Sequence, residues 1–283
     1  MNKIVRGSLA AAGLVALTLW DQRARRSIAG RAEMLRVGDA ILEYESTGSG
    51  PAVLVLHGSA GGFDQGTWLG HVLGLRDHRV IAVSRPGYLG TTDRRTTDEA
   101  VALVAAGLDQ LGLGRVVVIG VSGGGMAACR FAMLHPDRVR ALVMLSAVSG
   151  PVFTGSAVAD ISHVARGSLD VNQAASGALV SRSRRKLLAE FVTTFSAPER
   201  RIRGVIRDVE NSRTFAPPVG VTPPTLIVHG TADGIVPFAH AERTLSGCIN
   251  GELVPIKGGG HLACLTHDEL GTRVREFLAR HDA

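Results

Sequence analysis

Cysteine is scarce in this chain, and the three present, Cys129, Cys248 and Cys264, are scattered. They are too few for a disulfide framework, and no Cys-x-x-Cys pair points to zinc or thiol redox chemistry. Low-complexity runs and internal repeats are absent too, so neither a disordered tail nor a solenoid is expected. The longest apolar run near the start, Gly7 to Trp20, would reach only about 21 Å as a helix. That is short of the roughly 30 Å hydrocarbon core, although it suits the apolar region of a signal sequence. What remains is a chain of 283 residues with 45% hydrophobic and 20% charged residues, enough for one α/β domain with a sizeable insertion.

The net charge of +6 has to be located before it is interpreted. Lys3, Arg6, Arg23, Arg25, Arg26 and Arg31 face only Asp21 in the first 31 residues, and residues 150–220 hold ten basic against six acidic groups. The rest of the chain is therefore acidic on balance. No nucleic-acid motif accompanies this charge, so nucleic acid is not an expected partner. Basic residues on both sides of a short apolar run point instead to export or to attachment at a membrane, with residues 1–30 as a signal or anchor segment and 31–283 as the folded domain. A packed helix of a cytoplasmic protein is the alternative.

Beyond the leader, Ala40 to Ser46 alternates like a half-buried strand. Continuous apolar runs follow at Ala52 to Leu56, Val80 to Val83, Val116 to Val121, Ala141 to Leu145, Thr225 to Val228 and Leu253 to Ile256, as expected of strands covered on both faces. Helical stretches lie between them: Gln65 to Leu75, Thr97 to Leu111, Gly124 to Leu134, Phe238 to Leu245 and Asp268 to Arg280. This alternation predicts a mostly parallel sheet with helices on both faces. The gap between Leu145 and Thr225 breaks the rhythm. Its helical stretches, Gln173 to Phe191 and Glu199 to Asn211, predict a helical cap at about 150–220 over the carboxyl ends of the strands.

The sharpest local signal is Gly120-Val121-Ser122-Gly123-Gly124, placed between a strand and a helix. Such a turn exposes a serine hydroxyl above a helix N-terminus, whose positive end and free N–H groups favour developing negative charge. A serine nucleophile needs a histidine base, and that base needs a carboxylate to hold its tautomer. His261 follows the Leu253 strand through a glycine-rich loop, and Asp233 follows the Thr225 strand. No carboxylate lies between Asp137 and Asp160, which leaves Asp233 as the natural acid. His267 and His281 lie in or beyond the last helix, His57 and His229 read as turn-packing residues, and His135 precedes Pro136 at a helix end. For an oxyanion, the N–H of Gly123 and that of Ser59, with Ala60 close behind, are the candidate donors. A dinucleotide site with Ser84 and Arg85 is the rival reading, but its G-x-G-x-x-G spacing is missing.

With His57-Gly58, Arg85-Pro86-Gly87-Tyr88, Gly120-x-Ser122-x-Gly124, Asp233 and Gly260-His261 in this order, the chain from about residue 40 resembles the α/β-hydrolase superfamily. The Arg-Pro-Gly-Tyr segment and Asp233-Gly234-Ile235-Val236-Pro237 are similar to those of cap-bearing esterases, C–C bond hydrolases and cofactor-free haloperoxidase-like members. The resemblance implies acyl transfer on a small-molecule substrate through Ser122, His261 and Asp233, without metal or cofactor. C–C cleavage and a non-enzymatic binding role are the alternatives it leaves, and fold likeness cannot name a substrate. Leu89, between Tyr88 and Gly90, departs from the family pattern. The oligomeric state is not legible.

Overall fold

The computed structural model describes residues 18–26, 28–152, 182–262, 265, 267 and 269–281. Its frame is one eight-stranded sheet: β1 (Glu33–Val37), β2 (Ala40–Thr47), β3 (Ala52–Leu56), β4 (Arg79–Val83), β5 (Val116–Val121), β6 (Val139–Leu145), β7 (Thr225–Gly230) and β8 (Gly251–Ile256), in the order β1-β2-β4-β3-β5-β6-β7-β8. β2 pairs antiparallel with β1 and β4, and all other pairs are parallel.

The apolar runs form the central strands because both faces of the sheet are covered. In β3, Leu54 and Leu56 enter one core while Val53 and Val55 enter the other; in β5, Val116 and Val118 face one way and Val117, Ile119 and Val121 the opposite way. Period-two geometry thus splits each run between two layers, and each fully buried Leu or Val is worth roughly 1.5–3 kcal/mol of transfer free energy. Helices α2 (Thr97–Gln110) and α3 (Gly124–Leu134) cover one face; α1 (Phe63–Val72) and α7 (Leu270–Ala279) cover the other, and α6 (Ala239–Gly247) joins β7 to β8. A capping box starts α2, with Thr96 and Glu99 satisfying each other's backbone N–H.

Two strand expectations need correction. Leu253 to Ile256 is not covered on both faces: β8 is an edge strand with Gly251, Glu252 and Pro255 exposed. β1 was not anticipated, because Glu33-Met34-Leu35-Arg36-Val37 is too polar to read as a core strand. It forms the other edge and pairs through the tight Gly38-Asp39 turn, a hairpin signal that is present in the sequence.

The cap helices are α4 (Arg182–Thr193) and α5 (Ile202–Thr214). Residues 173–181 of the first expected cap helix lie outside the described residues, as does most of the Gly7 to Trp20 run. Among the described residues no helix is long and apolar enough to cross a membrane. Residues 18–26 are helical, with Ala24 buried, and Arg25 joins Asp21 to Glu199 of the cap.

Two buried ion pairs of opposite polarity fasten the cap to the core. Arg201, just before α5, bonds Asp64 of α1 at 3.1 and 2.8 Å, and Asp208 of α5 bonds Arg85 after β4. Leu89, at φ +48°, donates its N–H to Arg200 O at 2.8 Å, so the unusual residue after Tyr88 is a docking point for the cap. Removing one partner of a buried pair strands the other charge at a cost of about 3–5 kcal/mol. Arg201→Met is therefore expected to lower unfolding stability by that order in urea titrations, and Arg201→Met with Asp64→Leu to recover much of it. A single-variant loss below about 1 kcal/mol would contradict the arrangement.

Candidate active site

The open edge formed by the carboxyl ends of β3, β5, β7 and β8 gathers the site. β3 and β5 are sheet neighbours, although the chain runs from β3 to β4 before returning to β5, so a crevice opens between the loops that follow them. Ser122 sits in the turn between β5 and α3 at φ +48°, a left-handed conformation that costs a serine energy and persists only when its surroundings impose it. Those surroundings are crowded. A Cβ on Gly124 would lie 2.2 Å from Leu56 O and 2.4 Å from His57 O, and one on Gly120 would lie 2.5 Å from the Ala128 side chain. Both flanking glycines are thus required by close approach rather than by their own dihedrals.

The three residues singled out from the sequence come together. Ser122 Oγ is 3.0 Å from His261 Nε2, and His261 Nδ1 is 2.8 Å from Asp233 Oδ2. Because a carboxylate only accepts, Nδ1 carries the proton and Nε2 is left to accept from the serine hydroxyl. The second oxygen, Asp233 Oδ1, accepts the backbone N–H groups of Ile235 and Val236, both at 2.9 Å. Burial would raise the Asp233 carboxyl, but hydrogen bonds from His229 and His261 and from the Val236 N–H outweigh it and hold the group far below its ordinary value. The loop carrying His261 is pinned by Ser146 Oγ on its carbonyl at 3.0 Å and by Gly259 O, which accepts the Ala232 N–H.

His229 is more than a turn-packing residue. Its Nε2–H donates to Val236 O at 2.8 Å, and Nε2 lies 3.3 Å from Asp233 Oδ2, the same oxygen that His261 Nδ1 approaches. His57 is fully buried; burial first and the Arg85 charge second push its pKa well down, so it is a neutral structural ring. Its Nδ1–H donates to Gly58 O and its Nε2 accepts the Arg85 N–H. His267 is exposed and makes no contact with Ser122.

Ser59 and Gly123 flank Ser122, and among the described residues neither backbone N–H has a protein partner. Ala60, the second choice on this loop, has φ +62°. Gln65, not singled out from the sequence, accepts the Gly58 N–H at 2.8 Å and braces the loop from α1. Above Ser122 lies a cleft lined by Val121, Met126, Val148, Phe191, Phe195, Ile235, Leu262 and Leu265, with Ser59, Gln65, Asp208 and His261 as polar members beside the serine. Among the described residues no group of histidine, cysteine and carboxylate side chains could hold a metal ion.

A family model described as the alpha/beta hydrolase family matches residues 53–273. The chain belongs to this family. The 2-hydroxymuconate semialdehyde hydrolase of Pseudomonas putida is 31% identical over 263 residues, covering 83% of this chain and 90% of that protein. A dihydrolipoyllysine-residue acetyltransferase component of an acetoin cleaving system, also from Pseudomonas putida, is 28% identical over 260 residues, covering 87% of this chain and 68% of its own length. Four other curated relatives match over less than half of their own length. Among solved structures, an alpha/beta hydrolase fold protein from Nakamurella multipartita superposes with a TM-score of 0.76 at 28% identity, covering 89% of this chain and 100% of that one. A thermophilic esterase from Thermogutta terrifontis gives 0.65 at 21% identity, over 90% of this chain and 100% of that one, a likeness of fold alone.

In this alpha/beta hydrolase the depressed Asp233 carboxyl has a measurable consequence. A group held below its ordinary value of 3.8 contributes stability above that pH and loses it as pH falls through its folded pKa. The stability gap between wild type and Asp233→Asn is accordingly expected to narrow as thermal unfolding is taken from pH 5 to pH 2.5. A gap that stays constant over this window would show that the carboxyl is not held down.

Proposed function

We propose that this hydrolase works by acyl transfer on a carboxylic ester or a related small carbonyl substrate, with Ser122 as nucleophile, His261 as general base and Asp233 as the orienting carboxylate. What carries the reading is the unbroken hydrogen-bonded line from Ser122 Oγ through His261 to Asp233 beneath an apolar cleft.

Each step follows from that line. Ser122 Oγ attacks the carbonyl carbon while His261 Nε2 takes its proton, and the ionised Asp233 stabilises the imidazolium so formed. The carbonyl oxygen becomes anionic between the Ser59 and Gly123 N–H groups, at the positive end of α3. His261 then gives its proton to the leaving oxygen, which departs and leaves an acyl ester on Ser122. A water molecule, deprotonated by the same imidazole, attacks that ester and restores the serine.

The cleft favours an uncharged substrate, since its described lining is mostly aliphatic and aromatic and includes no lysine or arginine. C–C bond cleavage through the same serine is the second reading. The similarity to 2-hydroxymuconate semialdehyde hydrolase over most of both chains is what favours it.

A panel of p-nitrophenyl esters of increasing chain length, set beside a diketone C–C substrate, separates the two. Short esters are expected to be turned over, with kcat falling by about 10⁶ in Ser122→Ala and His261→Ala and by about 10⁴ in Asp233→Asn. A fluorophosphonate probe is expected to label Ser122 alone. Labelling that survives Ser122→Ala would sink the assignment, and preferential cleavage of the diketone would shift it to the second reading. The basic-flanked apolar run from Gly7 to Trp20 supports delivery to a membrane or beyond. Fractionation of cells expressing the full chain and a form lacking residues 1–17 tests this, and both forms remaining in the cytosol would refute it.

A further inference from the structure

The loop bearing Ser59 is held from outside the sheet. Its hydroxyl donates to Asp208 Oδ2 at 2.6 Å, a carboxylate supplied by cap helix α5. The same oxygen accepts from Tyr88 OH at 2.6 Å and from Arg85 Nη2 at 2.7 Å, while Arg85 Nη1 reaches the other oxygen, Oδ1, at 2.7 Å. Arg85 in turn grips the start of the loop: its Nε donates to His57 O at 2.8 Å and its backbone N–H to His57 Nε2 at 2.9 Å. Residues 57 and 59 are therefore tied to one core-to-cap ion pair. Asp208, Arg85, Tyr88 and His57 are all buried, so these bonds are made away from competing water.

The geometry puts this network against the reacting oxygen's place. A Cβ on Gly123 would lie 2.2 Å from Ser59 Oγ and 3.0 Å from Asp208 Oδ2, so the carboxylate and the Ser59 hydroxyl border the same peptide that is to receive the oxyanion. The hydrogen of Ser59 Oγ is committed to Asp208, so the hydroxyl cannot itself donate to substrate. Fixing residue 59 is what the bond accomplishes. An unpaired carboxylate here would oppose a developing negative charge, and the bidentate Arg85 guanidinium cancels it.

We propose that Asp208 is a positioning residue for acyl transfer: from the cap, through the Ser59 hydroxyl, it aims the Ser59 N–H at the substrate oxygen. The inference rests on the acyl-transfer reading above. It gives α5 a second task besides roofing the cleft. Removing the helix would untie the oxyanion loop as well as widen the pocket, so loss of the cap and loss of turnover should go together.

Ser59→Ala and Tyr88→Phe make a matched pair, since each deletes one hydroxyl donor to the same Asp208 oxygen and only the first removes the bond from Ser59 itself; Tyr88 meets the loop at Ala60 and His57, where the phenylalanine ring keeps the packing. With p-nitrophenyl acetate, Ser59→Ala is expected to lower kcat by about 10- to 100-fold with KM within about twofold, as misaiming a donor does. Tyr88→Phe is expected to keep kcat within about threefold while its melting temperature falls at least as far. In an Asp208→Ala background, adding Ser59→Ala should cost less than about threefold more; should Asp208→Ala fail to fold, the matched pair decides alone. The inference is overturned if Ser59→Ala retains wild-type kcat, if both hydroxyl deletions lower kcat equally, or if Ser59→Ala costs as much without Asp208 as with it. Full activity in Ser122→Ala would instead remove the acyl-transfer reading beneath it.

Discussion

The tight turn between β5 and α3 is the constraint around which the rest of this structure is arranged. A serine at φ +48° is held there only because Leu145 O takes its N–H, its own carbonyl accepts from Gly125 and Val148, and β3 presses its last carbonyls onto Gly124. That pressure fixes the distance between β3 and the start of α3. It also brings the loop after β3 beside the serine. The crevice and the exposed hydroxyl are thus two results of one packing demand, and the strain is offset by the two cores on either side of the sheet.

Polar groups in this environment are settled by what each can reach. Asp233 keeps its charge because three N–H groups donate to its two oxygens and the His229 ring lies 3.3 Å from one of them, while His57 gives up any charge because burial and Arg85 both oppose it. The same logic governs the cap. Buried ion pairs seldom add net stability, because desolvation consumes most of the attraction, but a mismatched docking would leave charges unpaired at high cost. Arg201 with Asp64 and Asp208 with Arg85, of opposite polarity, therefore specify where α5 sits more than how firmly it is held. A cap so fixed reaches from above the cleft down to the loop that carries Ser59.

The sequence by itself determined the core strands and singled out the residues that lie at their ends. Runs such as Ala52 to Leu56 and Val116 to Val121 are legible because a strand covered on both faces strongly favours apolar residues, and the edge strands β1 and β8 are misread or missed because solvent relaxes that demand. Ser122, Asp233 and His261 are legible for a related reason: each follows a strand at the sheet's carboxyl edge, where chain order and local glycines leave few choices. Their meeting at hydrogen-bonding distance, and the placement of His229 against the acid, came from strand order, which no local pattern records. Only the tertiary structure decided the role of Asp208. One aspartate among the charges of a polar cap helix carries no local mark, and its pairing with Arg85, Tyr88 and Ser59 joins residues more than a hundred positions apart. Such contacts exist only once the cap has closed on the sheet, because the burial that makes them strong is itself produced by that packing.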